Sequence, residues 1–166
     1  MNDHADGGDR IVVGVDGSDA SRAALRWAAQ QAPRLGAEVV AVHAWTPATL
    51  APYACARGRP TPAAQRERAA QLLADAVRAT FGPRIDPAVR AVLMEGDPAR
   101  VLIRQARGAL LLALGLSRLG PDRLLPAVGL VGRECLRHSP IPVVTVLACY
   151  RPAAPLRAVG THQVVA

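Results

Sequence analysis

Lysine is missing from this chain, so all 20 basic side chains are arginine. Aromatic residues make up only 3% of the 166 positions, and a core must therefore be built from Ala, Val and Leu. The two scarcities meet in the charge. A formal +7 favours nucleic acid or acidic lipid as a partner. Yet the arginines form no adjacent run, and no aromatics lie between them to stack bases. The charge reads as scattered, solvated arginine, and neither nucleic acid nor a membrane is expected as a partner. Cys55, Cys135 and Cys149 are an odd number with no C-x-x-C pair, which argues against a disulfide framework or a zinc site. Cys135 is expected to pack on a helix face as a small hydrophobe. No apolar run is long enough to span a membrane, and the opening MNDHADGGDR is too polar and acidic for a signal peptide. A reducing, cytoplasmic setting is expected. Neither G-x-G-x-x-G nor G-x-x-x-x-G-K-S/T occurs, so the two standard phosphate-loop fingerprints are absent.

What is present is alternation of strand and helix. The balance of 51% hydrophobic and 20% charged residues is globular, and the length suits one domain. IVVGV (11–15) is a β-branched run apolar on both faces, as a buried parallel strand is. Ser18 can cap a following Ala-rich helix that runs to Leu35, with Ala24, Trp27, Ala28 and Leu35 as its apolar stripe and Gly36 as its left-handed end. EVVAVHAW (38–45) is a second strand, and the Pro-rich stretch 46–60 a loop. Thr61 and Pro62 open a helix that Gly82 closes. AVRAVLMEG (88–96) is a third strand, interrupted by Arg90. Asp97 caps a short helix over 97–108, ALLLAL (109–114) is a fourth strand, Val128 to His138 a last helix and PVVTVL (142–147) a fifth strand. The pattern predicts a single α/β domain over 10–149, doubly wound, with a five-stranded parallel sheet in the order 3-2-1-4-5 and helices on both faces. Residues 1–9 read as a flexible arm and 150–166 as a disordered tail.

In such sheets ligands bind beyond the carboxyl ends of the strands, where strand order reverses. That places GVDGS (14–18) and the turn after the fourth strand across one crevice. Each leads into a helix whose free N–H groups and dipole favour an anion. The geometry suggests a nucleotide or phosphate site. Asp16 can accept hydrogen bonds from a base or ribose, or equally cap its own turn.

RIVVGVDGSDASRAALRWAAQQAPRLGAEVVAVHAW resembles the opening of a universal stress protein domain. GDPARVLIRQA is similar to that family's G-x-P-x-x-x-L-x-x-A segment, and GLVGRECLRHSPIPVVTV to its last helix and strand. The resemblance covers roughly residues 10–147. It implies a small cytoplasmic protein linked to stress or growth arrest, one branch of the family binding ATP and another lacking nucleotide. It also implies a homodimer paired antiparallel through the last strand, Pro142 to Leu147. Asp16 matches an aspartate near the adenosine, and Gly14 and Ala44 match positions whose backbone approaches base and ribose. Gly115 and Gly129 match phosphate-loop glycines, and Val131 and Gly132 match the start of the last helix. The ATP-binding branch carries G-x-x-G, nine residues, then G-S/T. Here Arg118 stands at the second glycine, the spacing from Gly115 to Gly129 is one residue too long, and Leu130 stands where a hydroxyl would donate. Pro121 also stiffens the loop and removes an N–H. Against these losses, Arg118, Arg123 and Arg133 are placed to supply charge-assisted contacts, with Arg123 reading as surface. ATP is therefore a doubtful cofactor, a different anion is an open alternative, and no metal is expected.

Other chemistry is weakly indicated. GLSRL (115–119) approaches G-x-S-x-G, but Leu119 breaks the elbow and no Asp-then-His follows Ser117. His43 reads as a core or dimer-face residue without metal partners, and Asp97, near Glu95, as a helix cap. The expected function is a stress-linked binding or regulatory protein and not an efficient enzyme. A weak ATP-hydrolysing enzyme and a non-specific nucleic-acid binder are the alternatives.

Overall fold

Side chains on β1 (Arg10–Gly14) alternate between two buried layers: Ile11 and Val13 enter one core cluster, Val12 the other. Only a strand covered on both faces does this. The computed structural model describes residues 9–47, 60–83, 89–118 and 126–151. Cys55, Pro121, Arg123, most of the arm, the greater part of the loop at 46–60 and the tail from 152 lie outside the described residues.

β1 pairs in parallel with β2 (Glu38–Trp45) on one side and β4 (Leu111–Arg118) on the other. β2 carries β3 (Val89–Glu95) at its far edge, and β4 carries the last strand, β6 (Val143–Leu147). The five parallel strands thus run 3-2-1-4-last, the order expected, and it reverses between β1 and β4. A two-residue strand, β5 (Pro126–Ala127), pairs antiparallel with Arg118 and Ser117 at the end of β4. So short an element carries no hydrophobic period, and the sequence shows none. α1 (Asp19–Leu35) and α2 (Pro62–Phe81) cover one face, placing Ala24, Leu25, Ala28, Leu73 and Val77 against Ile11 and Val13. α3 (Pro98–Ala106) and α4 (Leu130–His138) cover the other, placing Val101, Leu102 and Cys135 against Val12, Val40 and Leu112.

The helix starts follow the expected caps. Ser18, Thr61 and Asp97 accept from Ser21 N, Ala64 N and Arg100 N at 3.1, 3.2 and 3.0 Å. Gly36 closes α1 at φ 61°. Arg90 does not interrupt β3: at the sheet edge it faces outward and pairs with Glu38 at 3.7 Å.

Three boundaries differ from the sequence reading. Leu35 is 43% exposed and leaves the apolar stripe, which ends at Ala32 because the last turn of α1, residues 33–36, stands clear of the core. β4 starts at Leu111 and runs four residues past Leu114, because Gly115 and Leu116 find partners in Val146 and Leu147 and the next two residues find β5. Gly115 is therefore a strand residue and not the first residue of a loop. Asp9 and Tyr150, read as arm and tail, are both tied to the domain: Glu38 N donates to Asp9 O at 2.9 Å, and Tyr150 donates its hydroxyl to Gln30 Oε1 at 2.9 Å.

Candidate functional site

The turn leaving β1 is held by its own side chains. Asp16 Oδ1 accepts from Ser18 N at 2.9 Å and from Ser18 Oγ at 2.6 Å. Ser18 Oγ in turn accepts the Ser21 N–H. The buried Ser21 donates its hydroxyl to Ser18 O at 3.0 Å. Partial burial acts to raise the Asp16 pKa, but the hydrogen bonds from Ser18 and Ser21 outweigh it and hold the carboxyl below the usual range. Asp16 is thus an ionised acceptor at neutral pH, and its second oxygen takes no protein donor among the described residues.

His43, near the end of β2, reaches across to the same turn, with Nδ1 2.6 Å from Val15 O. A carbonyl only accepts, so Nδ1 carries a proton and donates it there.

The start of α4 forms the opposite wall. Gly129 is its N-cap and supplies no side-chain acceptor, and the first helical bond is Arg133 N to Gly129 O at 2.9 Å. The N–H groups of the first turn therefore have no intrahelical or side-chain partner among the described residues. Between these walls lies a crevice of about 330 Å³. Gly14, Val15, Asp16 and Ser18 line it from β1 and its turn, and Val42, His43 and Ala44 from β2. Leu114 and Gly115 form its base on β4; Gly129, Leu130, Val131 and Gly132 close it from α4. The turn after β1 and the start of α4 share one pocket at the point where the strand order reverses.

Gly14, Asp16, Ala44, Gly115, Gly129, Leu130, Val131 and Gly132, the sequence candidates, all line this pocket. Arg118 ends β4 with its backbone paired to Pro126. Arg133 does not reach in: its Nε donates to Val128 O at 3.1 Å, five residues back. Gly115 also has a packing role. A Cβ there would lie 2.4 Å from Ala20 C and 2.5 Å from Ser21 N. The missing side chain lets the first turn of α1 press onto β4, which is helix–strand packing. His43, Ser18 and Ser21 are wall residues that the sequence reading left out. The signal for His43 was its place beside Ala44 at the carboxyl end of a strand next to the reversal. Among the described residues no group of three or more His, Cys, Asp or Glu could hold a metal, and no helix is long and apolar enough to cross a membrane.

A doubly wound sheet with an anion-directed helix start over its switch point defines a nucleotide-fold α/β protein. The comparisons narrow the class. The model of the Universal stress protein family matches residues 8–146. Universal stress proteins of Mycobacterium tuberculosis are 32% identical over 135 residues, which is 81% of this chain and 43% of their own length. The chain thus spans less than half the length of those relatives. Two solved structures share the fold at a TM-score of 0.58. One is the universal stress protein from Archaeoglobus fulgidus in complex with dAMP, 22% identical, covering 83% of this chain and 97% of that one. The other is a universal stress protein in complex with cAMP, 24% identical, covering 85% and 98%. This chain belongs to the universal stress protein family.

Proposed function

We propose that this chain is a cytoplasmic, stress-linked binding protein whose crevice takes an adenine mononucleotide and does not process a triphosphate. The observation that carries the reading is the pairing of Asp16 with the uncapped start of α4 across one crevice. The free carboxylate oxygen of Asp16 accepts from a ribose hydroxyl or base amine, and the first N–H groups of α4 receive one phosphate. The dAMP and cAMP held by the two structural relatives support this ligand class. Against a triphosphate stands Leu130, which lines the crevice and offers no hydroxyl. Binding without turnover fits a regulatory role. A homodimer through β6 belongs to the same reading, because among the described residues β6 pairs only with β4 and its other edge is open.

Titration calorimetry of AMP, cAMP and ATP tests the proposal. AMP is expected to bind with a Kd below about 100 μM, and ATP no more tightly. Gly129→Asp places a carboxylate on the N–H groups the phosphate needs, so it should raise the melting temperature slightly and cost AMP at least about tenfold in affinity. Absence of AMP binding at millimolar ligand, or AMP binding indifferent to Gly129→Asp, refutes it.

A further inference from the structure

A second concavity, about 880 Å³, runs between α3 and α4 beside the crevice and shares Leu130 and Val131 with it. Arg100 and Arg104 stand one turn apart on α3, and Arg107 continues the stripe just past its end. All three line the groove and are exposed, and none is in an ion pair among the described residues. The acidic groups nearby are already engaged: Asp97 caps α3 through Arg100 N, and Glu134 faces His138 at 3.5 Å and Arg137 at 4.0 Å. Between the charges lies apolar surface, the half-buried Ile103 and a Leu130 that is 78% exposed. Leu130 and Ile103 thus give the groove an apolar strip beside its arginines.

We infer that this groove docks an amphipathic helix of a protein partner, with carboxylates on one face and aliphatic side chains on the next. Two helices with a furrow between them accept the ridge of a third. The unpaired arginine stripe selects acidic residues at matching spacing, and Ile103 and Leu130 take the aliphatic ones. A second copy seated groove to groove is a poor occupant, since it would bring the same Arg100, Arg104 and Arg107 stripe against itself. Nucleic acid is disfavoured because no Phe, Tyr or Trp among the described residues lines the groove, and Asp97 and Glu134 in its wall repel phosphate. The inference does not depend on what fills the crevice.

The test is selection of a phage-displayed library of random 16-residue peptides on the full chain, followed by fluorescence anisotropy of the enriched sequences at 150 mM salt. Enriched peptides are expected to be acidic with helical spacing of leucine-like residues. They should lose at least about tenfold in affinity on Arg100→Glu/Arg104→Glu and also on Leu130→Asp. Both arginines are exposed and the Asp97 cap uses only the Arg100 backbone, so the double variant keeps its circular dichroism spectrum. Selection without acidic enrichment, peptides that bind the double variant equally well, or a 20-nucleotide single strand that binds as tightly and depends on the same arginines, each overturns the inference.

Discussion

Replacing Gly115 by alanine should damage the fold, not merely the pocket. The added methyl would sit 2.4, 2.5 and 2.6 Å from Ala20 C, Ser21 N and Ala20 O, all backbone atoms of the first turn of α1. Ordinary contact begins near 3.4 Å, so helix or strand must move by about 1 Å in an interior packed at crystal density. Neither can move freely. β4 is paired on this stretch with β6 through Gly115↔Val146, and the turn of α1 is locked by the Asp16, Ser18 and Ser21 bonds. Overpacking of this kind costs about 1–3 kcal/mol, and a clash with backbone belongs at the upper end. For a chain of this size that is a fall in melting temperature of about 6–12 °C. The matched control is Gly129→Ala, where a Cβ meets nothing within 4 Å and φ is −65°; its melting temperature should stay within about 2 °C. Thermal unfolding followed by circular dichroism reads both. Equal melting of Gly115→Ala and the parent, with only nucleotide binding affected, would refute the packing argument and return Gly115 to the phosphate.

Other outcomes follow from the same coordinates. Ser18→Ala removes the cap of α1 and one donor to Asp16, so it should destabilise by about 1 kcal/mol, read by urea unfolding. Because the Asp16 pKa is lower folded than unfolded, its contribution to stability is fully present above the unfolded value near 3.8 and is lost as pH falls through the folded value. Asp16→Asn should therefore flatten the acid limb of the stability–pH curve below about pH 4 and leave its shape at pH 6–8 unchanged. Burial, with Asp97 and Glu134 nearby, pushes the Cys135 thiol up to about 11, whereas Cys149 is exposed. Brief iodoacetamide treatment at pH 8 should label Cys149 and spare Cys135 until the protein is unfolded, as peptide mass mapping would show; equal labelling contradicts the placement of α4. Leu130→Ser should leave stability within about 0.5 kcal/mol and tighten AMP by up to about fivefold, since a surface leucine is exchanged for one hydroxyl donor.

The sheet was legible because its strands are buried on both faces. Ile11, Val12 and Val13 cannot all be apolar for any other reason, and their continuous hydrophobicity is visible without partners. The caps were legible because a cap is local: Ser18, Thr61 and Asp97 act within three residues of themselves. What escaped depends on distant pairing. The extension of β4 through Gly115 exists because β6, some 30 residues later, supplies the hydrogen bonds. The inward role of His43 exists because Val15 O lies 2.6 Å away across two strands. Arg133 looked available for an anion because sequence shows its charge but not the Val128 carbonyl that holds it.

The glycines around the crevice look alike in sequence, and the structure separates them by what each would exclude. Gly115 is required by the backbone of α1, whatever the pocket holds. Gly129 is required by nothing in the fold. Its φ suits any residue, nothing among the described residues lies within 4 Å of its missing Cβ, and it stands at an N-cap where Ser or Asp would stabilise the helix by a few tenths of a kcal/mol. A position that forgoes available helix stability, at the mouth of a crevice, leaves donors unclaimed. The side chain absent at 129 is thus the strongest single sign that something negatively charged is meant to occupy the start of α4.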